Sequence, residues 1–146
     1  MADIARFCNR FPNIDPSFEV SGGGVAAAGE TVTVSVELVR EASQEGMDEG
    51  AGLGAVHAPL FPKPKTESYW LAVADAETNA LHAIKRLAVG ARARAKLEFA
   101  APEPPADGRA RSLKLYLMCD SYVGCDQEYD IEVWGGGRVR MLWRPR

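Results

Sequence analysis

The sequence predicts an all-β domain, an antiparallel sandwich of short strands, on three observations. Thr31 to Leu38 alternates four aliphatic side chains with small polar or charged ones. Arg92 to Phe99 sets Ala93, Ala95, Leu97 and Phe99 against Arg92, Arg94, Lys96 and Glu98. Leu113 to Val133 holds two further alternating runs around a glycine-marked turn. A period of two places successive side chains on opposite faces, so each run describes a strand with one buried and one wet face.

Taken in order, residues 1 to 14 read as the end of a helical subdomain, with Ile4, Phe7 and Cys8 on one side before Pro12 interrupts the pattern. Extended structure begins with Ser17 to Val20, and Ser21-Gly22-Gly23-Gly24 is a loop, because no Lys-Ser or Lys-Thr follows to make a phosphate cradle. After the Thr31 strand, Glu41 to Gly54 is acidic and glycine-rich and reads as a long loop. Ala58-Pro59-Leu60-Phe61-Pro62 is expected to run extended along a sheet edge, since proline removes a ladder donor. Tyr69 to Asp75 is a strand with Tyr69, Leu71 and Val73 opposite Trp70, Ala72 and Ala74; Asp75 to Asn79 turns, and Leu81 to Leu87 returns. Pro102 to Gly108 connects Arg92–Phe99 to Leu113, Leu115, Leu117 and Cys119, and Tyr129, Ile131 and Val133 close the last hairpin.

These strands and turns predict an all-β, immunoglobulin-like or fibronectin type III antiparallel β-sandwich with a short N-terminal helical segment. The sandwich is expected over 15–134 and a disordered basic tail over 135–146.

At 146 residues the chain is long enough for one core and too short for the two lobes of a nucleotide-driven motor. A formal charge of -3 gives no general affinity for polyanions, so nucleic-acid contact would be local. The chain reads as soluble and intracellular, with no membrane contact. Cys8, Cys119 and Cys125 lack zinc spacing and read as reduced thiols, and neither His57 nor His82 has neighbours that would complete a metal site. The Asp48-Glu49 pair follows no apolar strand, and no Gly-x-x-x-x-Gly-Lys-Ser/Thr loop exists, so no cofactor or metal is expected. Ser121 lacks a Gly-x-Ser-x-Gly elbow, which makes a hydrolase the weakest of the functional readings. Asp120 and Asp126 flank a turn, where short carboxylates accept backbone N–H bonds.

Several pieces carry a resemblance when read in order: Phe7-Cys8-Asn9-Arg10-Phe11-Pro12-Asn13-Ile14, Ala58 to Pro62, Trp70 with Asp75, Ile84-Lys85-Arg86-Leu87, and the hairpin from Asp120 to Tyr129. From Ile4 to about Val133 the chain resembles the terminal fibronectin type III or immunoglobulin-like domain of the Sec63-type unit of large RNA helicases, preceded by the end of its helical subdomain. The spelling Gly124-Cys125-Asp126-Gln127-Glu128-Tyr129 looks most like the spliceosomal DExH branch, ahead of the activating-signal cointegrator helicase and the endoplasmic-reticulum translocation branch. The Glu41–Gly54 loop and the arginine-rich ending depart from that pattern.

The resemblance implies a non-catalytic module in the nucleus, a scaffold against the helical and helicase domains of a parent protein and a surface for other spliceosomal proteins. Phe7, Phe11, Trp70 and Tyr122 are the candidate protein interface, although Trp70 reads first as an inter-sheet core aromatic. Lys85 and Arg86 are candidate RNA contacts, grouped with Arg92, Arg94 and Lys96 on a basic outer face. Arg138, Arg140, Arg144 and Arg146 join them in the tail, where Trp134 and Trp143 offer stacking, and a free-standing RNA-binding module is the alternative function.

Overall fold

A computed structural model describes residues 4, 8, 11–41 and 54–135. Among them seven strands form two antiparallel sheets. The first holds β1 (Ile14–Val20), β2 (Thr31–Arg40) and β5 (Arg92–Ala100) in the order β1-β2-β5. The second holds β3 (Tyr69–Asp75), β4 (Ala80–Leu87), β6 (Arg111–Cys119) and β7 (Gln127–Val133) in the order β4-β3-β6-β7.

The alternation along each strand determines which faces meet. Val34 lies opposite Leu97 and Val36 opposite Ala95, while in the other sheet Leu71 lies opposite Leu117 and Leu115 opposite Tyr129. These inward rows share a single core, in which Leu38, Leu71, Val73 and Leu113 are fully buried. Each such side chain contributes roughly 1.5–3 kcal/mol relative to exposure. Phe18 and Tyr129 close one flank of the core edge to face, with ring centroids 5.6 Å apart.

Two elements and one side chain differ from the sequence expectation. Strand β1 starts at Ile14 rather than Ser17, and its backbone is tied to β7 by Gln127 Nε2 donating to the Ile14 carbonyl at 2.8 Å. The expected helical segment falls mostly outside the described residues, as do 42–53 of the acidic loop. Ala58 to Pro62 is a turn, not an edge segment: the Phe61 N–H donates to the Ala58 carbonyl at 3.0 Å, and the nearest pairing is the isolated bridge between Ala55 and Thr66. Two prolines remove ladder donors and favour that turn. Trp70 lies on the outer face, 36% exposed, because Tyr69 and Leu71 take the core side of β3.

The Asp75–Asn79 turn is as expected. Asp75 Oδ1 accepts the Glu77 and Thr78 N–H groups at 2.8 and 3.2 Å, and Asn79 adopts φ 55°, a conformation asparagine tolerates. Trp134 forms an isolated parallel bridge with Val25, and its indole N–H is buried without an acceptor. Trp134 is half-buried, and residues 136–146 of the tail beside it lie outside the described residues.

Candidate protein-interaction face

Cross-strand partners share a face, so the outer surface of the β4-β3-β6-β7 sheet is read directly from its register. One row runs Arg86, Trp70, Met118; the next runs Ile84, Ala72, Tyr116. Leu81 opposite Ala74 extends the patch across the bulge at Val73/Ala74. Leu81 and Ile84 are 59% and 51% exposed, which leaves an aromatic and two branched aliphatic side chains in water on adjacent strands. Toward β7 the face turns polar, where Lys114 bridges Glu128 and Asp130 at 2.6 Å each. Hydrogen bonds to those two carboxylates, Asp130 first, raise the Lys114 ammonium above its ordinary range.

At the end of this face the hairpin carboxylate Asp120 gathers several groups. Its Oδ1 accepts the Ser68 N–H at 2.9 Å and the Ser121 hydroxyl at 2.6 Å, and its Oδ2 accepts Arg86 Nη2 at 3.0 Å. Lys65 Nζ stands 4.0 Å from Oδ1 and donates to the Asp120 carbonyl at 3.2 Å. Burial pushes this carboxyl up, but the Ser121, Ser68, Lys65 and Arg86 contacts outweigh it and hold the group below the usual carboxylate value. A carboxylate so stabilised is a weak base, and Ser121 spends its proton on it. The geometry anchors a turn and does not activate a nucleophile.

Arg86, fixed by Asp120, lies over the Trp70 ring at 5.4 Å from its centroid. Beyond Asp120, Tyr122 meets Phe11 edge to face at 5.7 Å, and its hydroxyl accepts the His57 N–H at 3.3 Å. Phe11 stays 38% exposed, while Leu60 and Val123 are almost wholly in water. Asp126 Oδ1 accepts the Cys119 N–H at 2.9 Å, the turn role expected of it. Cys119 and Cys125 are free thiols, and burial, reinforced by the neighbouring Cys119, pushes Cys125 up to about 12.

Of the sequence candidates, Phe11 and Tyr122 thus touch, and Trp70 and Arg86 stack. Lys85 and Arg86 separate, because neighbours in a strand point to opposite sides. Phe7 and the four tail arginines lie outside the described residues. Sequence reasoning missed Leu81, Ile84, Tyr116 and Met118 as members of the face. The signal was present in Leu81 to Leu87, whose apolar residues occupy both faces of one strand.

A buried cluster also escaped notice. Glu67 is 1% exposed and pairs with Arg40, whose Nη2 also donates to the Val89 carbonyl at 2.8 Å and whose Nε donates to the Gly90 carbonyl at 3.1 Å. The Tyr69 hydroxyl donates to Glu67 at 3.1 Å; burial and then the Glu67 charge push it far above the ordinary phenol value. Arg40 thereby ties β2 of one sheet to the segment entering β3 of the other.

Among the described residues no helix is long and apolar enough to cross a membrane, and no group of three metal-ligating side chains is present.

Comparison with known proteins matches residues 3–132 to the family described as the Sec63 Brl domain. The chain is 48% identical over 133 residues to the DExH-box ATP-dependent RNA helicase DExH13 of Arabidopsis thaliana, covering 91% of this chain and 6% of that protein. It is 44% identical over 133 residues to the human U5 small nuclear ribonucleoprotein 200 kDa helicase, with the same coverage. It is 37% identical over 134 residues to the pre-mRNA-splicing factor brr2 of Schizosaccharomyces pombe, covering 90% of this chain and 6% of that factor. The chain therefore spans a small part of the length of these relatives.

Proposed function

Because the chain belongs to the Sec63 Brl domain family and its relatives are spliceosomal RNA helicases, we propose that it is a non-catalytic, immunoglobulin-like or fibronectin type III sandwich of such a helicase. In this reading it is an intramolecular scaffold and a protein-interaction surface, acting in the nucleus during pre-mRNA splicing. ATP hydrolysis and unwinding belong to the parent protein, and its helical and helicase domains and other spliceosomal proteins are the partners. The observation that carries the reading is the outer face with Trp70, Ile84 and Leu81 in water. An apolar patch of this kind next to a charged rim fits a partner surface, with Trp70 as the anchor. Phe11 and Tyr122 extend it to the hairpin end.

The test is made in the full-length helicase. Trp70→Ala combined with Ile84→Ser is expected to leave unwinding by the purified protein largely intact and to lower its co-assembly with splicing proteins in nuclear extract. Unchanged assembly would remove this face from the interaction. The alternative, RNA binding through the arginine tail, has one motivation, the run of Arg138, Arg140, Arg144 and Arg146. Steeply salt-dependent binding of single-stranded RNA that disappears on deleting 138–146 would favour it.

A further inference from the structure

The outer face of the β1-β2-β5 sheet carries a second site, rimmed by charged side chains, that the interaction reading does not use. A groove of about 540 Å³ lies across it, bounded by Ser17, Glu19, Ser35, Arg94, Lys96 and, from β4 of the other sheet, Lys85. The register explains the assembly. Ser17, Glu37 and Arg94 stand in one cross-strand row, and Glu19, Ser35 and Lys96 in a row two residues along. The two serines are short, so the floor sits below the long charged side chains around it.

The charges of the groove are not all available. Glu37 is engaged by Arg94 through Nη2 and Nε at 3.0 Å each and by Arg92 Nε at 3.6 Å. Among the described residues Lys85, Lys96 and Glu19 have no ion-pair partner. The groove therefore offers two uncommitted cations on its β4/β5 side and one uncommitted carboxylate on β1. Lys96 and Glu19 are separated by two strand spacings, roughly 9.6 Å of backbone.

We propose that this groove binds a peptide segment of a protein partner, with acidic side chains over Lys85 and Lys96 and a basic side chain over Glu19. The charge pattern favours a peptide over RNA. A phosphate backbone is negative at every step and would meet the uncommitted Glu19 as well as the lysines, whereas a peptide places its carboxylates singly. Single-stranded RNA binding also relies on exposed aromatic stacking platforms. The one aromatic along this groove, Phe18, is packed against Tyr129. The proposal is independent of the Trp70 face, which belongs to the opposite sheet.

Amide resonances of the labelled chain, titrated at low salt, test it with three probes: a short peptide of glutamates followed by glycine and lysine, an all-glutamate peptide, and an oligouridylate. The mixed peptide is expected to move the amides of Ser35, Arg94, Lys96 and Lys85, with an effect that fades as salt rises. Reversing both lysines, Lys85→Glu with Lys96→Glu, should weaken it about tenfold or more, the loss of two surface charge pairs and their replacement by repulsion. Glu19→Lys should weaken the mixed peptide and not the all-glutamate one. All of these side chains are exposed, so the fold is expected to survive, and circular dichroism checks it; Trp70→Ala serves as the unaffected control. Absence of shifts in the groove, insensitivity to the lysine reversal, or tighter binding of oligouridylate at these residues would each overturn the proposal.

Discussion

At the scale of single residues, the most consequential side chain is Arg40. With Glu67 1% exposed beneath it, Arg40→Ala would leave a buried carboxylate without its counter-charge, and such losses cost roughly 3–5 kcal/mol. Urea denaturation should show that loss, and Glu67→Leu added to Arg40→Met should restore much of it. Nothing in the local sequence announced this pair, because Arg40 and Glu67 are separated by a loop and meet only when the two sheets pack. Asp75 makes a second residue-scale prediction. Burial pushes its carboxyl up, but the Arg111 guanidinium, 2.7 Å away through Nε, and the Thr78 and Glu77 N–H groups hold it below the ordinary 3.8. A carboxyl with a depressed folded value contributes its full stability above the unfolded value and loses it as pH falls through the folded one. The urea midpoint is thus expected to hold near neutrality and to fall below about pH 4, within this carboxyl's titration range. Asp75→Asn should be less stable than the parent chain at neutral pH and converge toward it in acid.

At the scale of elements, the hairpin joining β6 to β7 shows what a turn can fix. Gly124 has φ 90° with open space around its Cα, so the constraint on it is conformational and not steric crowding. Gly124→Ala is expected to cost about 1–2 kcal/mol, seen as a lowered thermal midpoint, while leaving the far-ultraviolet spectrum unchanged. The alternation of β2, β5, β6 and β7 was legible because each strand has one wet face. Strand β4 was legible in extent but not in facing. Its sequence Ala80–Leu87 carries apolar residues on both sides, and the bulge against β3 shifts the register partway along. Periodicity alone therefore could not assign Leu81 and Ile84 to a side of the sheet. Ala58 to Pro62 failed for a different reason: proline restricts φ equally in an edge strand and in a turn, and only the path from Ala55 to Thr66 chooses between them.

At the scale of the whole molecule, side chains of both sheets enter one core, so unfolding is expected to be a single cooperative transition. Coincident melting of the near- and far-ultraviolet circular dichroism would bear this out; separated midpoints would mean that the sheets are independent units. The sequence by itself determined the strands with one wet face, the core-facing rows and the family, because period-two patterning and ordered motifs are properties of the chain read along its length. It also placed Trp70, Arg86, Phe11 and Tyr122 among the candidate contacts. Which of these meet, and on which side, was decided only in three dimensions. Arg86 joins Trp70 and Asp120, whereas its neighbour Lys85 joins Arg94 and Lys96 across the gap between sheets. Adjacent residues of a strand face opposite ways, and the strands that supply their neighbours come from distant parts of the chain; sequence distance therefore carries no record of either grouping.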